Sequence, residues 1–304
     1  MIAPSGEQIA LSHGDMSAVI TEVGASLRSF RLHSQPVIWE FPAGEIDSAG
    51  RGQVLAPWPN RLEDGSYRFG DVVGKAALDE PNRCNAIHGL VRWLPWTLEG
   101  RSADRAELSC VIHPQPAYPF RVRLELEYRL GEDGLEVTCA ATNTGRDVAP
   151  FGVGFHPYLL AGPSGVDEAK VSLLARRRLV LDERGLPAGE EPVPGTAFDL
   201  GGRPLGGLEL DDCYTELAVG RDGRWHACVV LPGRRSEIWA DAAFGYVMCY
   251  TGDSLDEPSD RRRALAIEPM TCPPNALRSG VGVIELRAGE QWQARWGIAA
   301  AIGP

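Results

Sequence analysis

Five short segments of this 304-residue chain carry polar residues beside turn chemistry or at the ends of apolar runs. They are Asn60-Arg61 in APWPNRLEDGSYRFGD, His88 in NAIHGLVRW, His156 in FGVGFHPYLL, Asp211-Asp212 in LDDCYT and Glu268 in LAIEPMTCPPNA. Glu268 follows Leu265, Ala266 and Ile267, which makes it a carboxylate at the end of a buried strand, and burial raises such a group toward neutrality. His156 closes the apolar run Phe151, Val153, Phe155 and precedes Pro157, which halts strand pairing. A carboxylate raised toward neutrality is a candidate for acid–base work near pH 7. If the segment is extended, Asp211 and Asp212 point to opposite faces and only one of them enters a given pocket. Each residue also has a structural reading: an arginine ion pair for Glu268, a satisfied core position for His156, a turn for His88 before Gly89, and a surface charge for Arg61.

Strands must position these groups. Residues 120–130 alternate Phe120, Val122, Leu124, Leu126, Tyr128 and Leu130 with charged neighbours, the pattern of a half-buried antiparallel strand. The turn Gly131-Glu132-Asp133-Gly134 leads into a second alternating run and predicts a hairpin. Asp222-Gly223 predicts another, joining 216–219 to 225–231, and Ala288-Gly289-Glu290 a third, joining 283–286 to 292–298. Further strands are expected at 17–21, 107–112, 236–240, 246–250 and 265–268. No stretch sustains a 3.6-residue period, and the best helix candidate is the short 275–277 after Pro273-Pro274. No linker divides the composition, so the expectation is one domain over residues 1–304, all-β, with two large antiparallel sheets packed together and very little helix. The segment 160–210 reads as loop excursions over that sandwich.

Composition narrows the partners. Hydrophobic residues at 44% supply a core, and 35 glycines with 23 prolines imply many turns. The net charge of -11 argues against nucleic acid or an anionic membrane surface as partner. Apolar runs fall short of the roughly 20 residues that span a bilayer, and the N-terminal MIAPSGEQIA lacks a basic-then-apolar leader, so the expected location is cytoplasmic. Seven cysteines form no CxxC pair and read as free thiols rather than a zinc site. The P-loop, HExxH, GxSxG and EF-hand patterns are absent, and Gly152-Val153-Gly154 only begins a dinucleotide fingerprint. Trp58, Trp93 and Trp96 offer flat faces for a sugar ring or, alternatively, core packing. The arginine runs 176–178 and 261–263 offer a grip for phosphate or, alternatively, a solvated face.

In this order, NRLEDGSYRFGD, HGLVRWLPW, FHPYL, DDCY and IEPMTCPPNA resemble the aldose 1-epimerase (galactose mutarotase) family, over a stretch from Asn60 to Ala276. The resemblance implies a β-supersandwich and an isomerase that interconverts α and β anomers of a free aldose without metal or other cofactor. It assigns Glu268 as general base and His156 as general acid, with Asn60, Arg61, His88 and Asp211 binding the sugar. Asp211 is preferred to Asp212 by its spacing from Tyr214. Pro269-Met270 depart from the polar residues that many galactose mutarotases carry there. The partner is then a small-molecule sugar, and the chain acts as a monomer or homodimer. Two other readings stand beside this one: a non-catalytic carbohydrate-binding sandwich, and a glycoside hydrolase or lyase using Asp211 and Glu268 as paired carboxylates.

Overall fold

The computed structural model describes residues 3–162 and 165–302. Two antiparallel sheets dominate it. One has nine strands in the order Thr97–Arg101, Arg105–Ile112, Val122–Gly131, Gly134–Asn143, Gln291–Ile302, Arg234–Asp241, Arg224–Leu231, Lys170–Leu173 and Gly201–Pro204. The other runs Pro187–Pro192, Ala175–Leu181, Asp211–Leu217, Tyr246–Tyr250, Ala264–Met270, Gly154–Phe155 and Val54–Leu55, with Tyr158–Leu160 also paired to Ala264–Met270. A four-stranded sheet, Gln8–His13 to Gln35–Pro36, lies at the N-terminus. The chain is therefore all-β, and its one α-helix among the described residues is the single turn Ala276–Ser279.

The apolar faces of all three sheets meet in one core. Ile9 and Phe30, Leu126 and Ile298, and Leu265 and Ile267 all belong to it. Phe155 of the eight-stranded sheet lies 4.9 Å, ring to ring, from Trp296 of the nine-stranded sheet. This follows from alternation: in each strand the residues of one parity are apolar and turn inward. The Tyr128 hydroxyl, fully buried, donates to the Ala25 carbonyl oxygen at 2.6 Å and ties the N-terminal sheet to the nine-stranded one.

The hairpin at residues 131–134 forms as its turn signal predicts. The other two expected hairpins do not. Asp211–Leu217 belongs to the eight-stranded sheet and Arg224–Leu231 to the nine-stranded one, so the link through Asp222-Gly223 crosses between sheets. Leu217 is already paired with Ala175, while Arg224–Leu231 pairs across the tighter turn Pro232-Gly233 with Arg234–Asp241. Ile284–Leu286 likewise pairs with Ala149–Phe151, because Gln291–Ile302 has both edges filled by Gly134–Asn143 and Arg234–Asp241. The 160–210 segment, expected as loop, contributes strands to the edges of both sheets.

Tyr128→Phe leaves the Ala25 carbonyl oxygen without this buried donor, and we expect it to cost about 1–3 kcal/mol. Denaturant unfolding checks this; an unchanged midpoint would show that the bond does not couple the sheets.

Candidate active site

The sheet brings the polar residues together in two adjacent cross-strand rows. Gly154 faces Met270 and Tyr158 faces Ala266, and this same register sets His156 across from Glu268. Glu268 in turn faces Met248, which faces Cys213. The next row runs Asp211, Tyr250, Ala266, Tyr158. Leu265 and Ile267 take the core face of their strand, so Ala266 and Glu268 are turned to the other face, which floors a pocket of about 380 Å³. Its wall includes Asn60, Arg61, Glu80, His88, Arg92, His156, Tyr158, Asp211, Tyr250 and Glu268.

His156 is held on every side. Its backbone N–H donates to the Gln53 carbonyl oxygen at 3.0 Å and its own carbonyl accepts from Gly52 at 2.9 Å. Tyr158 stacks on the imidazole with centroids 4.9 Å apart, and the His88 ring meets it edge-on at 5.3 Å. Gly50, with φ +78°, closes over it, and a Cβ there would come within 3.1 Å of His156 Cδ2. Nε2 then lies 3.3 Å from Glu268 Oε1. The other oxygen of Glu268 has no hydrogen-bond partner among the described residues, and His156 Nδ1 has none outside its own residue.

Burial sets the protonation of this pair. It pushes Glu268 well above the usual carboxylate range, the negative charge of Asp211 adding to the effect and Arg61 opposing it. Burial pulls His156 down to about 3, opposed by its backbone and reinforced by Arg92. Burial thus disfavours the charged form of each group, and it does so across a contact in which Glu268 Oε1 faces His156 Nε2. His88 is also held neutral, well below its ordinary value, by burial and then by Arg92, His156 and Arg61. Its Nδ1 accepts the Asn60 backbone N–H at 3.2 Å, which leaves Nε2–H as the ring's donor.

Asn60 and His88 both adopt positive φ, 56° and 65°, and the His88 N–H returns a bond to the Asn60 carbonyl oxygen at 2.9 Å. The Asn60 side-chain oxygen accepts the Arg61 N–H at 2.9 Å, an arrangement that asparagine supports in the left-handed region. Asn60 thus lines the pocket with its carbonyl already engaged by the turn. Arg61 Nε reaches both Glu80 oxygens at 3.0 and 3.1 Å, and its Nη2 lies 3.5 Å from Asp211. Burial works against this charge, and Asp211, Glu80 and Glu268 outweigh it. Gly185, with φ +73°, covers the guanidinium; a Cβ there would stand 2.4 Å from Nη1.

Asp211 shares the pocket face with Cys213. Asp212 lies on the opposite face with the core residue Tyr214 and pairs with Arg178. The three tryptophans do not line the pocket: Trp58 and Trp96 are in the core, and Trp93 is half-exposed beside Arg92. Pro269 and Met270 do not line it either, Met270 packing with Leu179, Cys213 and Met248. Arg177 and Arg178 are occupied by Glu190 and Glu191. Glu80, Arg92 and Tyr250 were not singled out from the sequence. A buried arginine such as Arg61 requires an acid, but no local pattern marks which of 41 acidic residues provides it.

Solved structures share this architecture. A GalM/aldose epimerase homologue from C. elegans superposes with a TM-score of 0.86 at 18% identity, covering 98% of this chain and 99% of that one, so the fold is that of the mutarotase sandwiches. A family profile described as Aldose 1-epimerase matches residues 7–299, and the chain belongs to that family. Uncharacterized protein YihR of Escherichia coli K12 is 30% identical over 290 residues, 94% of this chain and 91% of that protein. A maltose epimerase of Levilactobacillus brevis is 26% identical over 315 residues, covering 91% and 89%.

The raised Glu268 has a stability consequence. Below the ordinary carboxylate value the group is neutral folded or unfolded; as pH climbs toward the raised folded value, the unfolded chain ionises and the folded state loses stability. Glutamine does not titrate. Glu268→Gln should therefore gain in Tm over the wild type on going from about pH 4 to about pH 8, by ~2 °C or more. Parallel Tm curves for the two proteins would show that Glu268 is ionised in the folded state.

Proposed function

We propose that this protein is a mutarotase, interconverting the α and β anomers of a free aldose by ring opening and closure. The reading is carried by one observation: Glu268 and His156 stand 3.3 Å apart, both buried, on the floor of a polar pocket in a chain of this family. Opening the ring removes the proton from the C1 hydroxyl, breaks the bond from C1 to the ring oxygen and protonates that oxygen. Ionised Glu268 takes the first proton and protonated His156 gives the second. The pair ends with the proton on Glu268 and a neutral imidazole, the arrangement in which neither buried group is charged. Rotation about C1–C2 presents the other aldehyde face, and the reverse transfers close the ring. The proton count is the same before and after, and transfer along the 3.3 Å contact interconverts the two arrangements.

Arg61, His88 and Asp211 hold the sugar while the aldehyde turns, with Arg61 and the His88 Nε2–H as donors and Asp211 as acceptor. Asp211 is itself flanked by Arg61 at 3.5 Å and Arg83 at 3.8 Å. A carboxylate committed in that way favours orientation of a ligand over a place in the paired-carboxylate chemistry of a glycoside hydrolase. Since Pro269 and Met270 lie outside the pocket, discrimination among aldoses falls to rim residues such as Arg92, Ser254 and Asp256.

Polarimetry on freshly dissolved α-glucose and α-galactose tests the reading. Glu268→Gln and His156→Asn should each lower kcat by roughly 10²–10⁴-fold with the fold intact, and the double variant should be little worse than the poorer single one. Arg61→Ala should raise KM. A well-folded Glu268→Gln with wild-type kcat would exclude this mechanism.

The pH profile gives a separate check. The active one-proton state spans the interval between His156, at about 3, and the raised Glu268. Hence kcat/KM should be flat through neutrality, with its alkaline fall reporting loss of the pair's proton. A narrow bell between the ordinary values of 4.5 and 6.5 would contradict the assigned protonation.

A further inference from the structure

Outside the sugar pocket, a second hollow of about 580 Å³ is lined by Arg234, Ser259, Arg261, Arg262 and Arg263 together with Leu160 and two glycines. Four arginines and not one carboxylate line it among the described residues, in a chain with 41 acidic against 30 basic residues. The four guanidiniums are not equally neutralised. Arg262 is a structural anchor, held by Asp253 at 2.5 Å and Asp167 at 2.6 Å. Arg263 has only Asp260, at 3.8 Å. Arg261 spends Nε on the Leu255 carbonyl oxygen at 2.7 Å, and Arg234 donates to the Pro36 carbonyl oxygen. Neither Arg234 nor Arg261 has a carboxylate within ion-pair distance among the described residues, and the Arg234 Nε is buried without a partner. Arg234 and Arg261 thus have no paired counter-charge, and because the overall field of a chain at -11 repels anions, any attraction here must be local.

We propose that this hollow is a binding site for the phosphate group of a small molecule, separate from the sugar pocket. The forked guanidiniums of Arg234, Arg261 and Arg263 supply paired N–H donors matched to phosphate oxygens, and the Ser259 hydroxyl adds another. The segment from Leu255 to Arg263 forms a wall of both cavities: Leu255 and Asp256 line the sugar pocket, while Ser259 and Arg261 line this one. In the other arginine run, 176–178, Arg177 and Arg178 are by contrast paired with Glu190 and Glu191.

Calorimetric titration with inorganic phosphate and with glycerol 3-phosphate, at constant ionic strength in chloride, tests the proposal. Glycerol 3-phosphate has no aldose ring to enter the sugar pocket. The expected result is a single saturable site, weakened at least about tenfold in the double variant Arg234→Gln/Arg261→Gln and unchanged in Arg177→Gln. Tighter binding of glycerol 3-phosphate than of phosphate identifies an esterified ligand, and equal binding a free anion. A double variant that keeps the wild-type circular dichroism and still unfolds cooperatively in chloride, even with the two carbonyl bonds lost, separates lost binding from lost folding. No saturable binding of either probe, or equal affinity in the wild type and the double variant, would overturn the site.

Discussion

A carboxylate and an imidazole, buried face to face on adjacent strands, are the constraint around which the rest of this structure is arranged. In water the two would titrate at their ordinary values of 4.5 and 6.5. Both are displaced because the sheet takes them out of solvent, and in opposite directions because burial penalises the charged form of each. The displacement requires a strand buried on both faces, and Ala264–Met270 is that strand: all seven residues are buried, with Leu265 and Ile267 committed to the core and Glu268 to the pocket. The neighbouring backbone must also be fixed closely enough to keep a 3.3 Å contact, which the bonds from His156 to Gly52 and Gln53 provide.

Around that pair, each buried arginine is neutralised directly by a carboxylate outside it, Arg61 by Glu80 at 3.0 Å and Arg92 by Asp79 at 2.7 Å. Arg61 is buried, and Glu80 and Asp211 keep it charged without taking it out of the pocket. Arg92, paired with Asp79, contributes to keeping both histidines neutral. Local backbone geometry carries part of this arrangement. The positive-φ residues Asn60 and His88 lock their two segments together by reciprocal bonds, so that the Arg61 guanidinium and the His88 imidazole are presented from a rigid corner. The site is thus built at strand ends and turns, and its precision comes from the sheet behind them.

Much of this was legible in the sequence, for identifiable reasons. Glu268 and His156 could be seen because each ends an apolar run, and a polar residue in that position either finds a partner or shifts its pKa. Strict alternation gave the strand at residues 120–130 and the hairpin after it. The same alternation separates Asp211 from Asp212 once Tyr214 is known to face the core, since Asp211 lines the pocket and Asp212 takes the face of Tyr214. Two expected hairpins failed because a turn signal is local, while the choice of sheet is decided by which edges are already filled. Leu217 had Ala175 as a partner and Gln291–Ile302 had two neighbours, facts that no window of ten residues contains. Glu80 and Arg92 escaped notice for a related reason: their importance lies in contacts with distant residues.

The central claim is that Glu268 and His156 share a single proton at neutral pH, carried by the carboxyl. Infrared difference spectroscopy of the wild type against Glu268→Gln, combined with the ¹⁵N signals of the His156 ring, measures this directly. At pH 7 the account predicts a protonated-carboxyl stretch that disappears in the variant, beside a neutral imidazole. An ionised carboxylate beside a neutral imidazole, leaving no proton on the pair, would contradict it.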